Sequence, residues 1–480
     1  MVFINKKWMY IITIDILALI CGVMFPQTRI MLLVLLLWSN GLIYTLDDLE
    51  KRGALFAFLV SFFLILIGRE TLEVFNLHEV ESSFSYDLNR FAEKLVLLSL
   101  VMLFIGYSLA NKFTFVRKNG RREFDYNSVQ YLSVRKISSS LFFLTFAFNA
   151  FTVLDIVRFV FRHGYITYYT SYVSSVPYAI KKIGDMCLVC FWIFLATMPE
   201  KRQVDKLSFF YVLYLIFTLG TGKRFPFVAG LLTLFVYYLA RNSVNSGDSV
   251  WIKRNRIALL FVLTPFLMIG LYAVGQMRVY NSINSLRIGK AFIDFLYGQG
   301  VSINVIKRAQ LYSDRLPQGK YYLFGSTFEA ISNNVLFRLL GATRYSGNTV
   351  EHAMGGYSFQ HALSYVTMGN YYLSGHGLGS CYIAEAFHDL GYFGVVIVNL
   401  IYGIIFRKVF DFKNHGIWGT AIILSMLYSL LLAPRGSADG FITDIVDLTT
   451  WGTILVVWML SKIVKNTNTV AYSINGSNLQ

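Results

Sequence analysis

Charge is what this sequence has least of. Only 15% of its 480 residues are Asp, Glu, Lys or Arg, while 55% are hydrophobic and the mean hydropathy is +0.53. A soluble domain carries about 25% charged residues, so a soluble enzyme or binding module is excluded. A signal-peptide cleavage site is also lacking. The first apolar run, near 9–25, ends in Pro26-Gln27-Thr28-Arg29 without a small-residue motif and reads as a retained span. Cysteine is scarce: Cys21, Cys187, Cys190 and Cys381 all lie in or beside apolar runs. Cys187 and Cys190 have CxxC spacing, but inside an apolar run they read as small packing residues rather than a redox or metal pair. No repeat of fixed period, no duplicated halves and no second soluble domain are visible.

What the chain does contain is a succession of apolar runs long enough to cross a bilayer. We expect an all-α polytopic membrane protein, 1–480 forming a single integral membrane domain with backbone polar groups satisfied inside helices. About twelve spans are counted by hydropathy. They lie near 9–25, 29–46, 54–68, 92–111, 138–160, 181–198, 207–220, 225–241, 257–275, 382–406, 417–433 and 441–461. The net charge of +16 belongs to loops and does not indicate nucleic acid. With Lys6 and Lys7 in the cytoplasm, Leu46–Arg52, Pro199–Lys206, Trp251–Arg256 and Phe406–Lys413 fall on the same side. So does the most basic loop, 111–137, with Arg117, Lys118, Arg121 and Arg122. Every short basic loop then obeys the positive-inside rule, and both termini are cytoplasmic. One external segment is large, 276–380. It is rich in Gly and Tyr, with amphipathic pieces at 301–312 and 328–340, and is expected to form a cap of short helices.

The run Thr218–Phe227, TLGTGKRFPF, invites a nucleotide-loop reading. A Walker A loop requires G-x-x-x-x-G-K-[ST]. Counted from Gly222-Lys223, the first glycine position holds Phe217 and the last position holds Arg224, so the pattern fails twice. The topology also places the run outside, away from ATP. What remains is Lys223 and Arg224 at the outer mouth of a helical hairpin, with Pro226 opening the next helix. The first-turn amides and dipole of that helix favour an anion. For Lys223, interfacial snorkelling is an equally open reading.

Other charges fall on the same expected side. Arg278 follows the ninth span, and Arg435 lies in the turn before the last, followed by Asp439, Asp444 and Asp447. Arginine binds phosphate bidentately, and charge beside hydrocarbon is costly and usually functional. A phosphorylated lipid headgroup on the external face is the simplest ligand for Lys223, Arg224, Arg278 and Arg435, with Asp439 and Asp444 in support. A second cluster, Ser374–Gly394, offers His376, Glu385, His388 and Asp389. Glu385, His388 and Asp389 share one helical face. No second His/carboxylate pair has metal-ligand spacing, so no metal and no cofactor are expected. His376, flanked by glycines, and Glu385 are the candidate bases. His352 and His361 in the loop are further ones.

Four features together resemble the Wzy family of O-antigen and capsular repeat-unit polymerases. They are GTGKRFPF, the large external loop before the last helices, GLGSCYIAEAFHDLGYFGVVIV and APRGSADGF, covering most of 160–460. The extra Lys223 beside Arg224 is a departure from the family's hairpin. The resemblance implies a glycosyltransferase C-type bundle, as in O-antigen ligases, in the bacterial inner membrane. It implies undecaprenyl-diphosphate-linked oligosaccharide as substrate, the growing chain passing from its lipid carrier to an incoming unit with no nucleotide sugar. The arginines would bind diphosphate, His376 or Glu385 would take the acceptor proton, and the tyrosines of 164–178 would stack on sugars. Membrane lipid and a chain-length-regulating co-polymerase are the implied partners. An O-antigen ligase shares this architecture. A lipid-linked oligosaccharide flippase would show related halves and a central charged cavity. A monosaccharide transferase would place an acidic pair in the first external loop, which here holds none.

Overall fold

The computed structural model describes the backbone of residues 13, 15–16, 19–20, 22–79, 83–110, 124–244, 250–252, 254–280 and 288–477. Side chains are described in these segments except at 243–244, 254, 261, 277–280, 288–289, 336, 413 and 466–477. Among the described residues every regular element is helical. Nine helices among the described residues are long and apolar enough to cross a membrane, so this is an all-α polytopic membrane protein. The difference from about twelve has local causes. The first expected span, with Cys21, Lys6 and Lys7, lies largely outside the described residues, as do Arg117, Lys118, Arg121 and Arg122. The sixth and seventh form as helices, Tyr178–Ala196 and Lys201–Leu219. Their first turns carry Lys181, Lys182 and Asp185, and Lys201, Arg202, Asp205 and Lys206, which shorten the uncharged stretch.

The chain divides into two compact units. The first comprises 1–117, 254–410 and 430–440. In it, Leu49–Val74 crosses as one helix containing a π-helical turn at Phe63–Ile67. Tyr86–Leu109 packs closely on Tyr382–Lys408, because glycines let the backbones touch. A Cβ on Gly106 would fall 2.3 Å from the Leu400 carbonyl, and one on Gly403 only 2.2 Å from that of Leu103. The segment expected as a cap does fold into short helices, among them Ile288–Gln299, Ile303–Leu311, Gly325–Ser332, Val350–Gly355 and Phe359–Met368.

The helix Tyr382–Lys408 is not straight. At Gly391 the backbone takes φ 58°, ψ −146°, a conformation open essentially to glycine alone. The chain reverses there. In an unbroken helix Tyr382 and Asn399 would stand about 25 Å apart, yet the Tyr382 hydroxyl donates to Asn399 Oδ1 at 2.7 Å. The Tyr382 and Tyr402 rings stack at 5.1 Å. A short arm, 382–390, therefore lies back along a long arm, 392–408. Gly394 allows the close approach, since a Cβ there would meet the Ala386 carbonyl at 2.1 Å. The expected span near 382–406 falls on this helix, but its longest unbroken stretch is the long arm, whose length lies at the lower end of the spanning range of about 17–25 residues. Nothing lies within 4 Å of a Cβ built on Gly391, so Gly391→Ala imposes only conformational strain, on the order of 1–3 kcal/mol. It is expected to lower the thermal midpoint of the detergent-solubilised protein without altering its helix content by circular dichroism.

The second unit comprises 118–253, 411–429 and 441–480. Val129–His163 packs on Tyr178–Ala196 through Gly184, whose carbonyl accepts from Asn149 Nδ2 at 3.0 Å. Lys201–Leu219 and Phe225–Val244 form the hairpin expected around TLGTGKRFPF, reversing at Gly222 with φ 83°. Cys187 and Cys190 are buried and free.

Candidate functional site

In the first unit the fold-back brings together two motifs far apart in sequence. Glu385 lies on the short arm with only 2% of its surface exposed. One carboxylate oxygen accepts from Ser380 Oγ at 2.5 Å and the other from the Ala438 amide at 2.8 Å. The Ala438 carbonyl accepts from the Tyr402 hydroxyl on the long arm at 2.7 Å. The turn APRGSADG is thus held at both the amide and the carbonyl of one residue, with Arg435 at the end of its 3-10 segment Ala433–Arg435 and half-buried. Asp439 is buried. Its Oδ2 accepts from the Thr327 amide at 2.7 Å, tying the turn to the Gly325–Ser332 helix, and burial raises its pKa. Ser326 and Ser437 share a hydroxyl bond at 2.6 Å beside it. Glu385 thus has the surroundings of a clamp: both its oxygens are engaged by the scaffold.

At the other end of the short arm sits His388-Asp389. Asp389 Oδ2 accepts from the amides of Tyr322 and Leu323, both at 2.7 Å, and Oδ1 faces His388 Nδ1 at 3.0 Å. Tyr322 and Phe359 pack on the imidazole with centroids at 5.2 and 5.6 Å. His376 lies elsewhere in the same unit. Its ring stacks on Tyr371 at 3.6 Å and its Nδ1 faces Ser374 Oγ at 3.2 Å. His352 faces two oxygens that can only accept, Gly347 O at 2.8 Å and the Glu329 carboxylate at 3.2 Å. Both its ring nitrogens therefore donate. Burial opposes this charge, but the bonds to Glu329 and Gly347 prevail and raise its pKa. His361 stacks on it at 3.7 Å and is held neutral, its pKa pushed down to about 4 by burial and by the neighbouring cation.

Sequence reading missed a buried charge cluster. Glu70 and Glu73, just past the expected span near 54–68, lie in the helix Leu49–Val74 and are buried. Lys307 Nζ donates to Glu70 at 2.6 Å with both side chains almost wholly enclosed. Arg69 stands 3.6 Å from Glu73 and lies over the Tyr297 ring. These contacts bind the segments 288–299 and 303–311 to the bundle. Acidic residues after an apolar run were the available signal, but their partner is 237 residues away in the chain.

In the second unit, Lys223 lies beside the tyrosine-rich stretch. Its ammonium stands 5.2 Å from the Tyr168 ring centroid and 5.7 Å from that of Tyr169. Burial lowers its pKa. The tyrosine-rich stretch is fixed by Asp155, which accepts from the Tyr172 hydroxyl at 2.7 Å and from Ser175 Oγ at 2.5 Å. Arg224 is half-buried at the hairpin turn. Asp444 accepts from Ser429 Oγ at 2.5 Å. The Arg278 backbone is helical, within Arg254–Tyr280, but its side chain lies outside the described residues.

The model of the O-antigen polysaccharide polymerase family Wzy matches residues 8–468, nearly the whole chain, and the protein belongs to that family. Neither a curated protein nor a solved structure matches it. Membership supports polymerisation of O-antigen repeat units by glycosyl transfer, with a lipid-linked oligosaccharide and membrane lipid as its implied partners.

Proposed function

We propose that this Wzy-family protein elongates O-antigen on the outer face of the bacterial inner membrane. It transfers the growing chain from undecaprenyl diphosphate to the non-reducing end of an incoming lipid-linked unit. The observation that carries this reading is the Glu385 clamp, which joins the glycine-rich segment 376–385 to the arginine turn 433–440 in one buried cluster. A diphosphate is a good leaving group only if its developing charge is met, and preorganised cations meet it at no reorganisation cost. Arg435 on the clamped turn serves this role. Arg224, Lys223 and Arg278 are the further diphosphate candidates that the sequence offers, with Asp439 and Asp444 in support. The lipid carrier supplies the activation, so neither metal nor cofactor enters the scheme. The one-sided distribution of basic loops supports the external site and cytoplasmic termini. A co-polymerase that regulates chain length is the expected partner in the membrane.

The test is deletion of the coding sequence followed by gel analysis of surface polysaccharide. Lipid A core capped by a single repeat unit is expected. Absence of any capped species would instead identify a ligase, a flippase or an earlier step.

A further inference from the structure

We infer that His388 and Asp389 form the base that activates the acceptor hydroxyl, with His388 as the catalytic residue and Asp389 as its positioning residue. This rests on the polymerase reading above and names a group that reading leaves open. The geometry is that of a carboxylate–imidazole dyad. Asp389 has 1% of its side chain exposed and is fixed by two backbone amides from another segment. Its remaining oxygen can only accept, so His388 carries its proton on Nδ1 and a lone pair on Nε2. The His388 side chain keeps 18% exposure, enough for a sugar hydroxyl to reach it. Tyr322 and Phe359 fix the ring plane, and the Tyr322 hydroxyl beside them is buried without a hydrogen-bond partner. The short arm ends at the Gly391 break, so the dyad occupies a helix C-terminus, where a cation is stabilised. Among the described residues, by contrast, the ring of His376 meets only Ser374 and Tyr371.

The step balances within the pair and its substrates. The acceptor hydroxyl oxygen forms a bond to the anomeric carbon of the donor chain. The bond from that carbon to the diphosphate oxygen breaks, and its electron pair leaves with the lipid diphosphate. The hydroxyl proton passes to His388 Nε2, and the resulting imidazolium is balanced by Asp389.

The experiment uses the full-length protein in lipid nanodiscs and the lipid-linked repeat unit extracted from the deletion strain. His388→Gln is expected to slow elongation about 10²-fold or more, with an unchanged melting temperature and a similar KM. Asp389→Asn keeps an acceptor for the two amides but turns a donor toward Nδ1, forcing the wrong tautomer. It should slow elongation comparably and provides the test if His388→Gln does not fold. Elongation by either folded variant within about threefold of wild type, or a loss that lies in KM with kcat unchanged, would overturn the assignment. The polymerase reading fails separately, if the deletion strain does not stop at one repeat unit.

Discussion

Glu385→Ala is expected to abolish long O-antigen, whereas Glu385→Gln should preserve most of the ladder. The carboxylate bridges Ser380 and the Ala438 amide in a fully buried setting. Alanine leaves both groups without partners, at about 1–3 kcal/mol each, and opens a cavity that adds to the loss. The arginine turn then loses one side of its grip, and only the Tyr402 hydroxyl still holds the Ala438 carbonyl. Glutamine has nearly the same shape. Its carbonyl can accept from Ala438, and its amide can donate to Ser380 at a slightly longer distance, a net change of about 1 kcal/mol. Gel analysis of polysaccharide, together with thermal unfolding of the purified protein, separates the two variants. A glutamine variant as inactive as alanine, yet as stable as wild type, would make Glu385 a proton-transfer group and refute the clamp.

The second large effect is expected at the cations. Arg435→Ala and Arg224→Ala should each leave the protein in the membrane at normal abundance but truncate the product to one or a few units. Losing one donor to a developing oxyanion costs about 10²–10³ in rate. Arg435→Lys should recover only part of it, because lysine keeps the charge but not the bidentate fork. Lys223→Ala should do less. That ammonium already lies against Tyr168 and Tyr169, so its loss falls first on the tyrosine-rich segment. Arg278→Ala belongs to the same series as Arg224 and Arg435. A full ladder of chain lengths from all three arginine variants would refute the diphosphate reading.

Much of this architecture is legible in the sequence because hydropathy is local and additive. Spans such as 29–46, 54–68 and 225–241 fall inside helices of the structure. The short helices of 276–380 follow from amphipathic pieces at 301–312 and 328–340, which the structure forms as Ile303–Leu311, Gly325–Ser332 and Val335–Leu339. The fold-back at 382–408 was not legible. The run reads as one span, and nothing local separates Gly391, where the backbone breaks, from Gly394 and Gly403, which stay helical. The partner of a buried charge is equally invisible. Nothing near Glu70 announces Lys307, and nothing near Glu385 announces the Ala438 amide.

The sequence by itself determined the solvent this chain lives in, most of its spans, its two motif-bearing turns and its family. Each of those is a property of a contiguous stretch or of its order along the chain. Only the tertiary structure decided what the polar residues touch. Glu385, an expected base, is engaged by a serine and a backbone amide, while His388, read only as one member of a helical face, is oriented by a buried carboxylate. A hydrogen bond acts over about 3 Å, and in a bundle the residues within that reach are set by helix packing and one glycine reversal rather than by separation along the chain.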